Sequence, residues 1–306
     1  MKKHLLRFSL AGFTLFFLIG GLLVFHRSST AAKKLDVIEN FSSPDKNIAT
    51  KPTSPVLSEE KKETDAPPVV ETAKINTDPP EIKPAATYPA EILNLANWKQ
   101  TLPIGKSKSP AEIKQPMLTT YAMNSCFNVD SQGDGVVFRA PVNGVTTSGS
   151  GYPRSELREM TNGGKALASW STTSGTNTMT IDEAITAVPK DKKHVVAGQI
   201  HNANDDVIVI RLEYPKLFVD INGQGGPTLD ANYTLGKRFT VKFVAENGQI
   251  KVYYNGGTSP AYTMNKKISG CYFKAGAYTQ SNCTKEKDCS SDNYGEVVIY
   301  NLTVSH

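Results

Sequence analysis

The sequence predicts an all-β domain: an antiparallel two-sheet β-sandwich of the jelly-roll type. Three observations point there. From Val136 onward, short apolar runs with period-two alternation recur between clusters of Gly, Asn, Asp and Pro. No strands alternate with long helical patterns, which removes the parallel-sheet architectures. Glu246-Asn247-Gly248 lies between two alternating runs, and Asn-Gly supplies the positive φ angles that a tight hairpin needs.

Taken in order, the chain opens on a targeting segment, residues 1–29. Lys2, Lys3 and Arg7 precede an apolar run of 18 residues, Phe8 to Phe25. As a helix that run would be about 27 Å long, close to the roughly 30 Å core of a bilayer. Cleavable signals carry shorter apolar regions of about 7–15 residues, so an uncleaved signal-anchor is expected, with a signal cleaved near Ala31-Ala32 as the alternative. Positive charge ahead of the run keeps that end cytoplasmic. The remainder is then exported, periplasmic or extracellular, and meets a membrane only through this segment. Residues 30–87 are rich in Pro, Lys, Glu, Ser, Thr and Asp, with Pro67-Pro68 and Pro79-Pro80 and almost no aromatics. Such a stretch cannot bury enough apolar surface to offset its ordering entropy and reads as a disordered polar linker.

The folded domain is expected over 88–306, long enough for one large core. Its 22 Lys and Arg against 19 Asp and Glu leave a net +3, a weak excess that suits an acidic partner without requiring one. No basic run is interleaved with aromatics, so nucleic acid is not the expected partner. Strands are expected at Val136 to Val142, Ser155 to Met160, Thr178 to Val188, His194 to Asn202, Val207 to Tyr214, Leu217 to Ile221, Arg238 to Ala245, Gln249 to Tyr254, Tyr272 to Gln280 and Glu296 to Val304. Short helices are expected at Pro110 to Lys114 and Glu91 to Leu95. All four cysteines fall in this domain, downstream of an export signal, so disulfides are permitted. Cys283 and Cys289 are expected to staple one loop, leaving Cys126 and Cys271 to pair if the fold brings them together. No Cys-x2-Cys spacing or histidine partner suggests zinc, and no metal or other cofactor is expected.

Three stretches carry chemistry. In Tyr152 to Glu159, period two puts Arg154, Glu156 and Arg158 on one face, where guanidinium groups match a carboxylate and Glu156 can hold both arginines in place. In Gln199-Ile200-His201, an amide and an imidazole share a face while Ile200 turns away. His4, His26 and His306 lie in the leader or at the very end, leaving His194 and His201 for the domain. In Tyr272 to Gln280, Tyr272, Lys274, Gly276, Tyr278 and Gln280 share a face. Each alone is ordinary: a surface ion-pair ladder, a strand histidine, an amphipathic tyrosine stripe. Together they supply Arg, Gln, His, Lys and Tyr.

Arg-Ser-Glu-Leu-Arg, Gln-Ile-His and Tyr-Phe-Lys-Ala-Gly-x-Tyr-x-Gln, in this order, resemble the three signature blocks of the family 7 polysaccharide lyases, the alginate lyases. Asn97 to Pro103 and Gly151-Tyr152-Pro153 extend the resemblance over nearly all of the domain. Thr279 departs from it, since the family more often has Asn there, which puts a subsite contact in doubt. The resemblance implies cleavage of a 1,4-linked uronate polymer by β-elimination in a substrate cleft on the concave sheet, and the protein is expected to be a monomer. Arg154 and Gln199 would neutralise the sugar carboxylate, His201 or Tyr278 would take the C5 proton, and Tyr278 would protonate the departing oxygen. Glu156, Arg158, Lys274 and Gln280 would position the uronate chain, and Ile200 implies acceptance of guluronate-containing blocks. Two rivals are kept. A glycoside hydrolase needs two catalytic carboxylates about 5–10 Å apart, and no Glu-x-Asp-x-x-Glu run is present. A non-catalytic module binding acidic glycans could use the same basic and aromatic face.

Overall fold

The computed structural model describes residues 86–306, and the expected leader and nearly all of the linker lie outside them. In chain order the strands are β1 (Trp98–Lys106), β2 (Ser109–Ile113), β3 (Phe127–Val129), β4 (Val136–Pro141), β5 (Arg154–Thr161), β6 (Ala166–Leu167), β7 (Asn177–Ala187) and β8 (His194–His201). There follow β9 (Asp206–Glu213), β10 (Lys216–Asp220), β11 (Thr228–Asp230), β12 (Phe239–Glu246), β13 (Gln249–Tyr254), β14 (Tyr262–Asn265), β15 (Tyr272–Thr279) and β16 (Tyr294–Ser305). All pairings are antiparallel within two sheets. One runs β11-β10-β9-β8-β15-β5-β1-β2 with β6 beside β5, and the other β14-β13-β12-β7-β16-β4-β3. This is the expected sandwich. Among the described residues no helix is long and apolar enough to cross a membrane.

Alternation builds the core. In β12, Phe239, Val241, Phe243 and Ala245 are buried while the residues between them are partly exposed. Phe127 and Phe138 pack with ring centroids 5.2 Å apart, and Phe273, Leu157, Ile200 and Met179 join the same cluster. Each such side chain contributes about 1.5–3 kcal/mol through burial. The Asn247-Gly248 turn forms as expected, with φ of 50° and 72°, and pairs Glu246 with Gln249.

Several expectations are corrected. Pro110 to Lys114 is not a helix: Ser109–Ile113 is β2, an edge strand folded back on β1 and held by Lys99 on Glu112 at 2.5 Å. Five residues with mixed polarity carry too little periodicity to decide their state, and the hairpin decided it. Glu91 to Leu95 shrinks to a 3-10 turn at Pro89–Glu91. Cys283 and Cys289 are bonded, with Cα atoms 4.8 Å apart, but Cys126 and Cys271 are buried free thiols and do not pair. His306 is part of the fold. Its Nε2 lies 2.6 Å from Glu159 and its Nδ1 2.8 Å from Asn177, so a third histidine serves this domain.

Beneath the middle of β8 a carboxyl is buried without a partner. Glu183 on β7 is fully buried and neither oxygen is hydrogen-bonded among the described residues. Burial, with Asp182 adding repulsion, pushes this carboxyl up to about 8, so it is neutral near pH 7. A folded-state value above the ordinary 4.5 means that its contribution to stability is full below that value and is lost as pH rises towards 8. Glu183→Gln removes the titration. Calorimetric Tm of the parent is therefore expected to fall relative to the variant between about pH 5 and about pH 8; parallel Tm–pH curves would show that the carboxyl is not held neutral.

Candidate active site

The three stretches singled out from the sequence are β5, β8 and β15, and they are immediate neighbours in the order β8-β15-β5. Register aligns Tyr272 with His201, Lys274 with both Gln199 and Arg158, Gly276 with Glu156, and Tyr278 with Arg154. Directly paired residues share a face, so the polar set forms one patch. A bulge keeps it so. The four residues of β15 from Ala275 to Tyr278 face the three of β8 from Gly198 to Val196, which turns Gln199 and His201 to the cleft while Val195 and Ala197 stay in the core. Gly276 has φ 128°, and a Cβ there would stand 2.7 Å from the Ser155 carbonyl oxygen and 2.8 Å from Phe138. Only glycine fits so close an approach.

At the centre is Glu156, 1% exposed. Its Oε2 accepts from Arg154 Nη1 at 3.1 Å and pairs with Lys274 Nζ, while its Oε1 accepts from Gln199 Nε2. Burial works against its charge, but Lys274 and Arg154 outweigh it and hold the carboxyl below the usual carboxylate range. Burial, with Arg154 beside it, pushes the Lys274 ammonium down to about 8 against the pull of Glu156. One carboxylate between two cations leaves one positive charge uncompensated. Polar capacity is also left over: Arg154 Nε, Gln199 Oε1 and Gln280 Nε2 are buried without partners among the described residues. A carboxylate placed above this patch finds the Arg154 guanidinium and the second Nε2 hydrogen of Gln199 as donors, whereas Gln199 Oε1 can only accept.

His201 and Tyr278 flank the patch, both partly exposed to the cleft. His201 Nδ1 lies 2.5 Å from the Asn202 carbonyl oxygen and 3.0 Å from the Tyr272 hydroxyl. A carbonyl only accepts, so Nδ1 carries the proton and Nε2 keeps a lone pair. Burial first, then the Lys274 charge, lowers the imidazole's affinity for a second proton. The ring is therefore a neutral base at pH 7. The Tyr278 ring lies under the Arg154 guanidinium at 3.8 Å, and its hydroxyl is 2.9 Å from Ser150 Oγ.

The assignment of site residues changes in detail. Arg154, Gln199, His201 and Tyr278 come together as expected. Glu156 and Lys274 are buried and paired with each other and with their neighbours. Glu156 does not hold Arg158. That guanidinium donates to the Glu159 carbonyl oxygen at 2.5 Å and covers the Tyr272 ring at 3.9 Å, remaining at the cleft edge. Ile200 is fully buried, so any influence on sugar preference passes through the strand. Thr279 is also fully buried, donating to the Ala140 carbonyl oxygen at 2.7 Å, so its departure from the family pattern does not touch a subsite.

Sequence reasoning passed over three contributors. Tyr272 sat in plain view at period two from Lys274. Tyr152 sets its ring edge-on to Tyr278 at 6.5 Å and accepts from Lys192 Nζ at 3.0 Å. The Lys192 turn is itself fixed by Glu286, which accepts from the Asp191 and Lys192 backbone N–H groups at 2.8 Å each. Ser150 lies in a loop of Thr, Ser and Gly that carries no periodic signal.

Known proteins resemble this chain in sequence and in fold. The family model described as alginate lyase matches residues 93–306. An alginate lyase of Klebsiella pneumoniae is 26% identical over 290 residues, covering 72% of this chain and 92% of its own. The crystal structure of the alginate lyase from Corynebacterium sp. is 52% identical, with TM-score 0.70, covering 72% of this chain and 99% of that one. Alginate lyase AlgAT5, of polysaccharide lyase family 7, is 56% identical, with TM-score 0.69 and the same coverage. Alginate lyase A1-II', 26% identical with TM-score 0.60 over 72% of this chain and 100% of its own, has been solved as a variant in complex with the product GGG. With a matching family model over most of its length and relatives more than half identical, this chain belongs to the alginate lyases of polysaccharide lyase family 7.

Proposed function

We propose that the cleft cleaves alginate by β-elimination with four residues in distinct roles. The observation that carries this reading is the surplus positive charge of the Arg154–Glu156–Lys274 cluster, placed between a neutral imidazole and a phenol. The C5 proton of a uronate is too weakly acidic to leave while the adjacent carboxylate keeps its full charge. Arg154 and Gln199 hydrogen-bond that carboxylate and stabilise the dianion that forms as the proton departs, a single donor of this kind contributing about 3–4 kcal/mol. His201 Nε2 or the Tyr278 oxygen takes the proton, and Tyr278 delivers one to the glycosidic O4. The products are a shortened chain and an unsaturated uronate. In guluronate the C5 hydrogen and O4 lie on opposite faces of the breaking bond, which suits His201 as base and Tyr278 as acid. In mannuronate they share a face, and Tyr278 performs both steps. Arg158 and Gln280, at the margins of the patch, position neighbouring sugars. The oligomeric product held by A1-II' supports an occupant of this kind, and guluronate-containing blocks are the preferred substrate. The same reading places the enzyme outside the cytoplasm, on the charge pattern ahead of the apolar run from Phe8 to Phe25.

Ultraviolet absorbance of the unsaturated uronate reads the reaction directly, and a module that only binds glycan gives none. Tyr278→Phe is expected to lose at least about 10²–10⁴-fold in kcat while retaining oligosaccharide binding; near-parental turnover would remove Tyr278 from the mechanism. Glu156→Gln should cost roughly 10²-fold in kcat and lower Tm as well, since two buried cations lose their shared anion; an unchanged kcat would show that the cluster does not organise catalysis. Because burial and Lys274 lower the His201 value, activity on guluronate blocks is expected to persist below the ordinary histidine range of 6.5 and to fall only as the ring is protonated. An acid limb of kcat/KM at or above 6.5 would contradict His201 as the base.

A further inference from the structure

Among the described residues the Tyr278 hydroxyl has one hydrogen-bond partner, and that partner is held in place by contacts from three directions. Ser150 Oγ lies 2.9 Å from Tyr278 Oη. The loop that carries it is clamped on each side. Lys108 Nζ donates to the Ser150 carbonyl oxygen at 2.9 Å and to Thr146 Oγ1 at 3.1 Å. Asn282 Nδ2 donates to the Gly151 carbonyl oxygen at 2.9 Å, and Lys192 Nζ holds the Tyr152 hydroxyl at 3.0 Å. These contacts, spread over the irregular backbone from Thr146 to Tyr152, fix the serine hydroxyl against the phenol.

The hydroxyl has two places to send its single proton. Its oxygen accepts from the Tyr152 backbone N–H at 3.0 Å, and its own O–H reaches either the Tyr152 carbonyl oxygen at 3.2 Å or Tyr278 Oη. When the serine proton points at the Tyr152 carbonyl, the phenol donates to Ser150. When it swings to Tyr278, the phenol oxygen accepts. A tyrosine that takes a proton from C5 and returns one to O4 passes through both conditions: acceptor and phenolate before the transfer, donor after it.

We propose that Ser150 is a positioning residue for Tyr278, donating its hydroxyl hydrogen bond to the phenolate and turning to the Tyr152 carbonyl when the phenol is protonated. The inference rests on the role given to Tyr278 under the proposed function. Rotation about the serine C–O bond is the only change, and no proton leaves Ser150. Where Tyr278 is the base, the proton it takes from C5 stays on it until O4 receives it. Where His201 is the base, Tyr278 gives its own proton to O4 and Ser150 donates to the phenolate left behind. The Arg154 guanidinium over the ring at 3.8 Å assists the same anionic state from the face, while Ser150 assists it in the ring plane.

A threonine–valine pair isolates the hydroxyl, because the two side chains have the same shape and only one can donate. Ser150→Val and Ser150→Ala are expected to lower kcat by roughly 10–10²-fold with KM within about twofold of the parent, whereas Ser150→Thr should recover most of the turnover. Equal activity of the Thr and Val variants, or a loss confined to KM, overturns the inference and leaves the loop with a shape role only. Tyr278→Phe measured alongside separates the two claims. An inactive Tyr278→Phe beside a fully active Ser150→Val sinks the serine role alone, and an active Tyr278→Phe sinks both.

Discussion

The site depends on one buried carboxylate. Glu156 takes an arginine, a lysine and an amide on its two oxygens and has no exposure of its own to offer a ligand. Desolvating a charge is expensive, and the cost is offset only when the ion is paired and its remaining lone pairs are satisfied. Here two cations share one anion. The arrangement is therefore stable with a net positive charge directly under the cleft, the sign needed to receive the carboxylate of a uronate. If the cluster balanced to zero, its members would be occupied with one another and the substrate would find a closed network.

Backbone geometry brings that charge to the reacting atoms. The bulge between β8 and β15 lets Gln199 and His201 face the same side as Lys274 and Tyr278, and Gly276 lets β5 come close enough for Glu156 to reach across. On the far side of the same strands Ile200, Ala275 and Ala277 are fully buried. Polar and core faces alternate along β15, and along β8 on the Gln199 side of its bulge, so the apolar layer that holds the sandwich together also fixes the polar layer above it.

The loops add what the sheets do not. Ser150, Tyr152 and Lys192 come from two connections that meet over Tyr278, and neither has a regular pattern to announce it. The buried Glu286 and the Cys283–Cys289 bridge restrain the second of these connections and the chain that follows β15. The loops give this phenol a fixed ring and a fixed hydroxyl partner, a placement that its strand alone could not supply.

Most of the sandwich was legible in the chain itself. Period-two alternation located the long strands, Asn247-Gly248 its hairpin, and Arg154, Gln199, His201 and Tyr278 could be named because a strand assigns faces by counting. Short edge strands such as Ser109–Ile113 escaped, since five residues carry too little periodicity to outweigh local propensity. What sequence could not decide was pairing. That Glu156 chose Lys274 over Arg158, that Cys126 and Cys271 stayed apart, that His306 folded back onto Glu159 and that Ser150 met Tyr278 all follow from which strands lie side by side. Periodicity is a property of each strand alone, whereas neighbours across a sheet are set by the burial of both faces together. The residues of the site were thus written in the chain, and their partners were decided only in three dimensions.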